Sequence, residues 1–210
     1  QGFGLGTKDI ESTQGRLTLH GFHPLSIEER KLLFPLAKKE RREIACKVFK
    51  LKEGDVFEGE VEFIDVSNST KSSTKSAHNN ALSHFHAIIL HTNKPEETIA
   101  RYCWLTDQSS PRRIFGSSWQ VGLDQQKIIV CSEEDVERIF PSVDVSNLPS
   151  ILGYALLTES LSKTKDCFSH NELVTQSLNQ GSFLVKLPEF ISGNLIIGTS
   201  AADFPWNDSN

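Results

Sequence analysis

The chain has 210 residues, of which 38% are hydrophobic and 23% charged, and its formal net charge at pH 7 is −5. These values are typical of a globular protein with a real hydrophobic core, and they argue against a largely disordered chain. The longest apolar runs fall far short of the roughly 18 residues that a transmembrane helix needs, so we expect no membrane partner.

Four cysteines are far apart in the sequence: Cys46, Cys103, Cys131 and Cys167. No pair has the C-x-x-C spacing that is typical of zinc sites. Three of them lie inside apolar runs, which favours buried, reduced thiols over disulfides. Reduced cysteines indicate an intracellular protein.

The first 25 residues predict an extended arm or an edge strand, because they are glycine-rich at the start and weakly patterned. The order Ser26-Ile27-Glu28-Glu29 is that of a capping box, in which a serine hydroxyl and a glutamate carboxylate satisfy backbone amides at a helix start. We therefore expect a helix from Ser26, and we expect Pro35 to break or kink it.

A basic run from Arg30 to Lys52 lies within this acidic chain. It contains nine Lys and Arg residues against two Glu residues, a net charge of +7, whereas the whole chain carries −5. Such asymmetry concentrates a positive field to which phosphates or an acidic protein could dock. The basic run therefore indicates a binding role without identifying the partner.

Two strands are predicted next, over 44–51 and 56–66, with a turn at Lys52-Glu53-Gly54-Asp55. In the second strand, Glu58, Glu60 and Glu62 alternate with apolar residues and so share one face.

If the two strands form a hairpin, Lys47 or Lys50 can pair with these glutamates across the strands. That pairing would neutralise the strand part of the basic run. The predicted binding residues are therefore those of its helical part: Arg30, Lys31, Lys38, Lys39, Arg41 and Arg42.

A Ser/Thr/Asn/Lys-rich segment over 67–83 is typical of an exposed loop. Three further strands are predicted, one beginning near Phe85, one over 99–105 and a short buried one over 127–131. The segment 44–131 should thus be rich in β-structure.

The pattern then changes towards helix, with helices predicted over 132–141, 150–163 and 170–180. A closing hairpin is expected over 183–198, and a polar tail over 199–210. No internal repeat is visible in the sequence. The fold class is therefore α+β, with one domain over 26–198, in which an antiparallel, barrel- or sandwich-like β-rich half precedes helices and the hairpin.

His84 and His86 are the residues that most resemble a metal-ligand pair. Two histidines spaced by one residue on a strand project from the same face, and β-sheet metal sites often present ligands in this way. His91 falls on the opposite face, and no spacing identifies a third ligand. The alternative is that both are polar residues at a strand end, so no metal or other cofactor is predicted.

Residues 84–131 resemble the core of a BAH (bromo-adjacent homology) domain. The resemblance rests on the strand His86-Ala87-Ile88-Ile89-Leu90, the aromatic segment Arg101-Tyr102-Cys103-Trp104, the block Arg113-Ile114-Phe115-Gly116-Ser117, and Lys127-Ile128-Ile129-Val130-Cys131. It implies a non-catalytic module that contacts nucleosomes, histone tails or other chromatin proteins.

Under that resemblance, Tyr102, Trp104 and Trp119 are candidates for an aromatic surface that holds a methylated lysine. The alternative is that these aromatic residues pack in the core.

The sequence thus favours a non-enzymatic, chromatin-associated protein-binding module in the nucleus, which binds an acidic protein surface, a nucleosome or nucleic acid through its basic face. Two alternatives remain open: a metal-dependent enzyme that uses His84 and His86, and a structural or assembly subunit of a viral or cellular complex. The oligomeric state is not predicted.

Overall fold

The computed structural model describes residues 2–35, 41–65, 80–141, 143, 149–178, 181–188 and 193–207, without the side chains of 32–35 and 41–42. The chain divides into two compact units, Gln1–Thr74 and Lys75–Asn210. No helix in the described part of the chain is long and apolar enough to cross a membrane.

The first unit contains a four-stranded sheet and one helix. Its elements are β1 (Gly2–Thr7), α1 (Ile10–Leu19), β2 (Glu28–Pro35), β3 (Arg41–Lys50) and β4 (Glu60–Asp65). The strand order is β1-β4-β3-β2, with β1 parallel to β4 and the other pairs antiparallel. The Asp9 side chain caps α1 by accepting a hydrogen bond from the Ser12 amide at 2.9 Å.

The second unit contains an eight-stranded sheet. Its elements are β5 (Leu82–Thr92), α2 (Pro95–Thr106), β6 (Arg112–Arg113), β7 (Trp119–Leu123), β8 (Gln126–Ser132), α3 (Val136–Ile139), β9 (Ser150–Thr158), α4 (Leu161–His170), β10 (Thr175–Ser177), β11 (Phe183–Lys186) and β12 (Asn194–Gly198). The strand order is β10-β11-β12-β9-β5-β8-β7-β6. Two 3₁₀ turns follow, Ala201–Asp203 and Pro205–Asn207.

The same arrangement of elements occurs three times along the chain. Each βαβββ module has a strand, a helix and three further strands, and its first and last strands are parallel neighbours. Module 1 runs from β1 to β4, module 2 from β5 to β8, and module 3 from β9 to β12. Modules 2 and 3 are joined by antiparallel pairing of their first strands, β5 and β9.

A threonine pair marks the same point in each module. The first threonine of each pair ends the first strand and accepts a hydrogen bond from the amide two residues later, at 3.3, 3.1 and 3.1 Å in modules 1, 2 and 3. Its hydroxyl lies 2.7, 3.4 and 2.6 Å from that of a threonine six residues later. The pairs are Thr7 and Thr13, Thr92 and Thr98, and Thr158 and Thr164. This shared motif aligns the three modules residue by residue.

The predicted α+β, sheet-rich fold class is confirmed, and both sheets are open rather than closed into a barrel. The strands predicted over 44–51 and 127–131 correspond to β3 and β8, and the predicted closing hairpin is the antiparallel pair β11 and β12.

Several predicted elements are wrong in the N-terminal part. Residues 1–25 contain β1 and α1 instead of an extended arm. The helix expected from Ser26 is the strand β2, which pairs with β3 from Glu28 to Pro35. Pairing over eight residues outweighs the local capping-box signal, because tertiary context overrides helix propensity.

Strand and helix are also exchanged further along the chain. The strand predicted over 99–105 is the second half of α2, which Pro95 begins and whose buried residues recur at helical spacing. The helix predicted over 150–163 is mostly β9, a buried apolar strand in the middle of the sheet. The helix predicted over 170–180 lies beyond the end of α4, partly in β10 and partly outside the described residues.

Candidate functional site

The two faces of the eight-stranded sheet differ in what covers them. Leu161 and Phe168 of α4 pack on Phe183, Val185 and Ile197, and α2 packs against β5, β7 and β8. We call the opposite face the inner face. An apolar cluster forms there: Ala87, Ile89, Ile129, Cys131, Leu152, Ala155, Leu184 and Ile196 from the strands, Val136, Ile139 and Phe140 around α3, and Phe204 and Trp206 from the C-terminal turns.

The polar side chains that interrupt this apolar surface include Lys127, Gln120 and His86. Lys127 on β8 lies directly opposite Ala87, and Gln120 on β7 lies opposite Ile129. Because residues directly opposite each other share a face of a sheet, both side chains belong to the inner face. The third is His86 on β5, where a register shift in the pairing with β9 occurs between Phe85 and Ala87.

The imidazole of His86 is held in an aromatic stack. It lies 4.9 Å from the Phe204 ring, which in turn lies 5.0 Å from the Trp206 ring. His86 is only 6% exposed, and its Nε2 has no hydrogen-bond partner among the described residues. Burial, with a smaller contribution from the charge of Lys127, lowers the pKa of His86 to about 4. At neutral pH the ring is therefore uncharged and can accept a proton.

Lys127 and Gln120 add a cation and an amide to the same surface. Burial lowers the pKa of Lys127, and the nearby charge of Arg112 lowers it further. The Lys127 Nζ lies 3.4 Å from the Asn207 Oδ1. Gln120 is 7% exposed, and its Oε1 has no partner in the described part of the chain. Buried polar atoms without partners are rare in folded proteins, so His86 Nε2 and Gln120 Oε1 are candidates for contacts with a ligand.

The metal pair proposed from the sequence does not form a site. His84 is exposed, whereas His86 is buried, and within the described ranges no three His, Cys, Asp or Glu side chains could hold a metal ion together. The threonine motif makes Leu152 the counterpart of His86 in module 3, and the nearby inner-face positions Ile129 and Ile196 are apolar too. The donors present on this face therefore do not fit a metal ion.

A second histidine and a cysteine are neighbours at the other end of the inner face. His91 and Cys131 lie opposite each other on β5 and β8, and both are fully buried. Burial is the main cause that raises the pKa of Cys131 to about 12, and burial lowers the pKa of His91. With its thiol protonated at neutral pH, Cys131 is not an activated nucleophile.

A cavity of about 420 Å³ opens at the carboxyl ends of β5 and β8. It is lined by Asn93, Lys94, Pro95, Glu96, Glu97, Ser117, Ser132, Glu133 and Glu134. Two of the lining residues, Ser117 and Ser132, are held by Asp135, whose carboxylate accepts hydrogen bonds from the Ser117 amide and the Ser118 and Ser132 hydroxyls at 2.9, 2.7 and 2.7 Å. All three donors to the Asp135 carboxylate are groups of the protein. This network therefore stabilises the local loop structure and is not by itself evidence of a ligand site.

The basic residues predicted to bind a partner are spread over strands and partly ion-paired. Arg30 pairs with Glu28 and Glu62 on β2 and β4. Lys31 pairs with Glu43 at 2.8 Å. The predicted basic helix is therefore wrong.

Of the other predicted binding residues, Lys38 and Lys39 lie outside the described residues, and Arg41 and Arg42 are described only as backbone of β3. The expected cross-strand pair is confirmed for Lys50, which contacts Glu60 at 2.7 Å. Lys47 pairs instead with Glu11 at 2.6 Å.

The three aromatic residues predicted to form a surface are in different settings. Tyr102 is fully buried on α2, while Trp104, two residues further along the same helix, is 52% exposed. Trp119 lies on β7 and is half-buried. Core packing accounts for Tyr102.

No family model and no curated protein matches the chain. Its fold is similar to that of the Mn(II)-bound glyoxalase from Novosphingobium aromaticivorans, with a TM-score of 0.60 and 9% identity over 93% of this chain and 61% of that chain. A hypothetical protein from Staphylococcus aureus has a TM-score of 0.55 and 9% identity, with 92% and 63% of the two chains covered. The chain spans less than two thirds of the length of either structure. At this identity the likeness establishes the fold alone.

These similarities correct the resemblance to a BAH domain. Residues 84–131 are most of a βαβββ module with a glyoxalase-like fold, and the aromatic segment that supported the resemblance is part of α2 rather than a strand. The prediction of a non-enzymatic, chromatin-associated module depended on that resemblance and is therefore wrong as well. The predicted nuclear location depended on it too and is no longer supported. One of the solved structures with a similar fold is a glyoxalase rather than a chromatin-binding module.

Sequence reasoning singled out His86 as a possible metal ligand and did not consider Lys127 and Gln120. One signal was available: the Thr-x5-Thr spacing after each first strand could have revealed the three modules and hence which strands adjoin.

Proposed function

We propose that the chain is an enzyme that removes a proton from a carbon next to a carbonyl group in a small, oxygen-rich substrate. Two observations support the proposal: the fold that it shares with a glyoxalase, and, chiefly, the neutral buried imidazole of His86 beside Lys127.

The reaction assigned to these residues needs no external oxidant. His86 Nε2 takes the proton from the carbon, and the electron pair of the broken C–H bond moves onto the carbonyl oxygen to form an enolate. The Lys127 ammonium donates a hydrogen bond to that oxygen, and Gln120 Oε1 accepts one from a substrate hydroxyl. Return of the proton to the same carbon completes an exchange. If the hydroxyl proton on the adjacent carbon first moves to the enolate oxygen, return of the carbon proton to that adjacent carbon leaves a carbonyl there and completes an isomerisation.

The charge of Lys127 carries much of the catalysis in this scheme. A base with a pKa of about 4 attracts a proton weakly, so the enolate must be strongly stabilised for the proton to leave carbon. A hydrogen-bond donor aimed at a developing oxyanion in a dry site is worth about 100- to 1,000-fold in rate.

Substrate can reach His86 only if the C-terminal turns move, because the Phe204 ring covers the imidazole. The Mn(II) ion is a property of the similar glyoxalase and is not carried over to this chain. No step is assigned to a metal here, because among the described residues no three His, Cys, Asp or Glu side chains lie close enough together to hold one.

Proton exchange in D₂O tests the proposal. The protein is incubated with dihydroxyacetone, with EDTA in one series and Mn²⁺ in another, and deuterium at carbon is followed by NMR. Exchange above the buffer rate is expected in both series, with a fall of about 100-fold or more in Lys127→Gln. The control Lys186→Gln removes an exposed lysine of β11 and should leave the rate unchanged. No exchange in either series, or equal exchange in Lys127→Gln, would refute the proposal.

A further inference from the structure

The charges of the eight-stranded sheet are all of one sign. Among the described residues, its strands contain no Asp or Glu, and their Lys and Arg residues are Arg112, Arg113, Lys127 and Lys186. The sheet is therefore cationic although the whole chain carries −5. A positive surface without counter-charges attracts anions.

Two of these cations lie close together on the inner face. Arg112 on β6 lies opposite Gln120 on β7, so it shares the inner face with Gln120 and Lys127. Its charge is near enough to lower the pKa of Lys127. Lys186 lies on the same face, but β11 is four strands from β8, about 19 Å away, so its charge is not part of this group.

Arg112 has no counter-ion. It is exposed, and in the described part of the chain its guanidinium forms no ion pair and no hydrogen bond. The adjacent Arg113 faces the other way, and its Nε donates to the Gly116 carbonyl at 2.6 Å. An arginine fork of N–H donors matches the paired oxygens of a carboxylate or a phosphate.

Open space lies beside these cations. Gly122 on β7 lies directly opposite Lys127 and two residues from Gln120, so a side chain at this position would point to the inner face. A Cβ on Gly122 would have no neighbouring heavy atom within 4 Å. The glycine thus leaves room for a ligand between the Lys127 side chain and the edge of the sheet.

We propose that the substrate carries an anionic oxygen group, a phosphate ester or a carboxylate, and that Arg112 binds this group at the edge of the sheet. This inference rests on the proposed function, because it names the substrate class of the same site. The carbonyl oxygen of the substrate then lies at Lys127 and a hydroxyl at Gln120 Oε1. The backbones of β6 and β8 are two strand spacings, about 10 Å, apart. An arginine side chain and a three-carbon substrate together bridge that distance.

A bound anion also relieves the repulsion between the two cations. Burial disfavours the charged form of Lys127, and the charge of Arg112 disfavours it further. An oxyanion beside them favours the charged form of Lys127, so it keeps the ammonium protonated for its contact with the carbonyl oxygen. Neutral dihydroxyacetone lacks this group and should therefore be a poorer substrate than its anionic relatives.

Isothermal titration calorimetry with unreactive analogues tests the anion site separately from catalysis. Glycerol 3-phosphate, glycerate and glycerol have no ketone or aldehyde, so they bind without turnover. The wild type should bind one of the two anions at least tenfold more tightly than glycerol, and the tighter anion identifies the group as phosphate or carboxylate. Arg112→Gln should lower the affinity for that anion at least about tenfold and leave the affinity for glycerol unchanged.

Two further variants control for charge and for space. Arg113→Gln removes the same charge from the opposite face of the same strand and should retain the anion affinity. Gly122→Val fills the open space beside Lys127 and should weaken anion binding. Equal losses in Arg112→Gln and Arg113→Gln, or unchanged anion affinity in Arg112→Gln or Gly122→Val, would overturn the proposal.

The anion site and the proposed reaction can fail separately. Exchange of dihydroxyacetone in D₂O, together with anions that bind no more tightly than glycerol, would overturn the anion site alone. Anion binding that depends on Arg112, without exchange of any substrate, would refute the proposed reaction alone.

Discussion

The buried threonine pair of module 3 should be a strong local stabiliser, and Thr158→Val isolates its contribution. Thr158 is 3% exposed. Its hydroxyl donates to the Ala81 carbonyl at 2.9 Å, accepts from the Ser160 amide at 3.1 Å and lies 2.6 Å from the Thr164 hydroxyl. Valine keeps the branched shape and removes the hydroxyl alone.

The size of the effect follows from the groups left without a partner. The Thr164 hydroxyl still has the Asn80 and Ser160 carbonyls as acceptors, at 2.7 and 2.9 Å, so the loss falls on the Ala81 carbonyl and the Ser160 amide. Each buried polar group left unpaired costs about 1–3 kcal/mol. Because both are only partly buried, we expect about 2 kcal/mol, or a fall in Tm of about 4–8 °C at this chain length.

Urea unfolding followed by tryptophan fluorescence measures this change in the second unit, since Trp104, Trp119 and Trp206 all lie there. The matched variant is Thr92→Val. Because the Thr92 hydroxyl lies 3.4 Å from that of Thr98, removing it should lower the free energy of unfolding by only about 1 kcal/mol. A loss below about 0.5 kcal/mol for Thr158→Val, or a larger loss for Thr92→Val, would refute the idea that the motif stabilises each module through this hydroxyl.

Three further outcomes are expected. Phe204→Ala should lower the free energy of unfolding by about 3–5 kcal/mol, because Phe204 is fully buried. In the same variant, NMR titration should show a higher pKa for His86, because water then reaches the imidazole ring. The pKa of His86 is about 4 in the folded protein and 6.5 when the ring is unperturbed, as in the unfolded chain. As the pH falls, the unfolded chain therefore binds the proton first, and the free energy of unfolding should fall by about 3 kcal/mol between pH 7 and 4. In urea titrations, His86→Leu should lack that part of the decline. Gly116→Ala should lower Tm, because Gly116 has φ +47° and an added Cβ would collide with the Asp135 carboxylate; Tm equal to the wild type would contradict the assigned role of that network.

The fold was predictable where a strand's own residues determine it. β3 and β8 have clear apolar patterns, and the Lys50–Glu60 pair followed from placing a basic strand beside an acidic one. β2 and β9 were not predictable, because their local signals favour helix and only pairing with distant strands makes them extended.

The candidate site was less predictable than the fold. His86 was conspicuous in the sequence, but the register shift beside it, which separates its environment from that of His84, depends on the contact with β9. Lys127 and Gln120 come near it only through the order of strands in the sheet. The covering ring of Phe204 comes from a segment that looked like a polar tail.

The most direct test of the assignment of His86 and Lys127 is an NMR titration of protein with ¹⁵N-labelled histidine, using acetohydroxamic acid, a planar molecule shaped like an enediol. Saturable shifts of the His86 ring nitrogens are predicted for the wild type, and weaker binding by at least tenfold for Lys127→Gln. Unchanged His86 resonances, or equal affinity in the two proteins, would contradict the assignment.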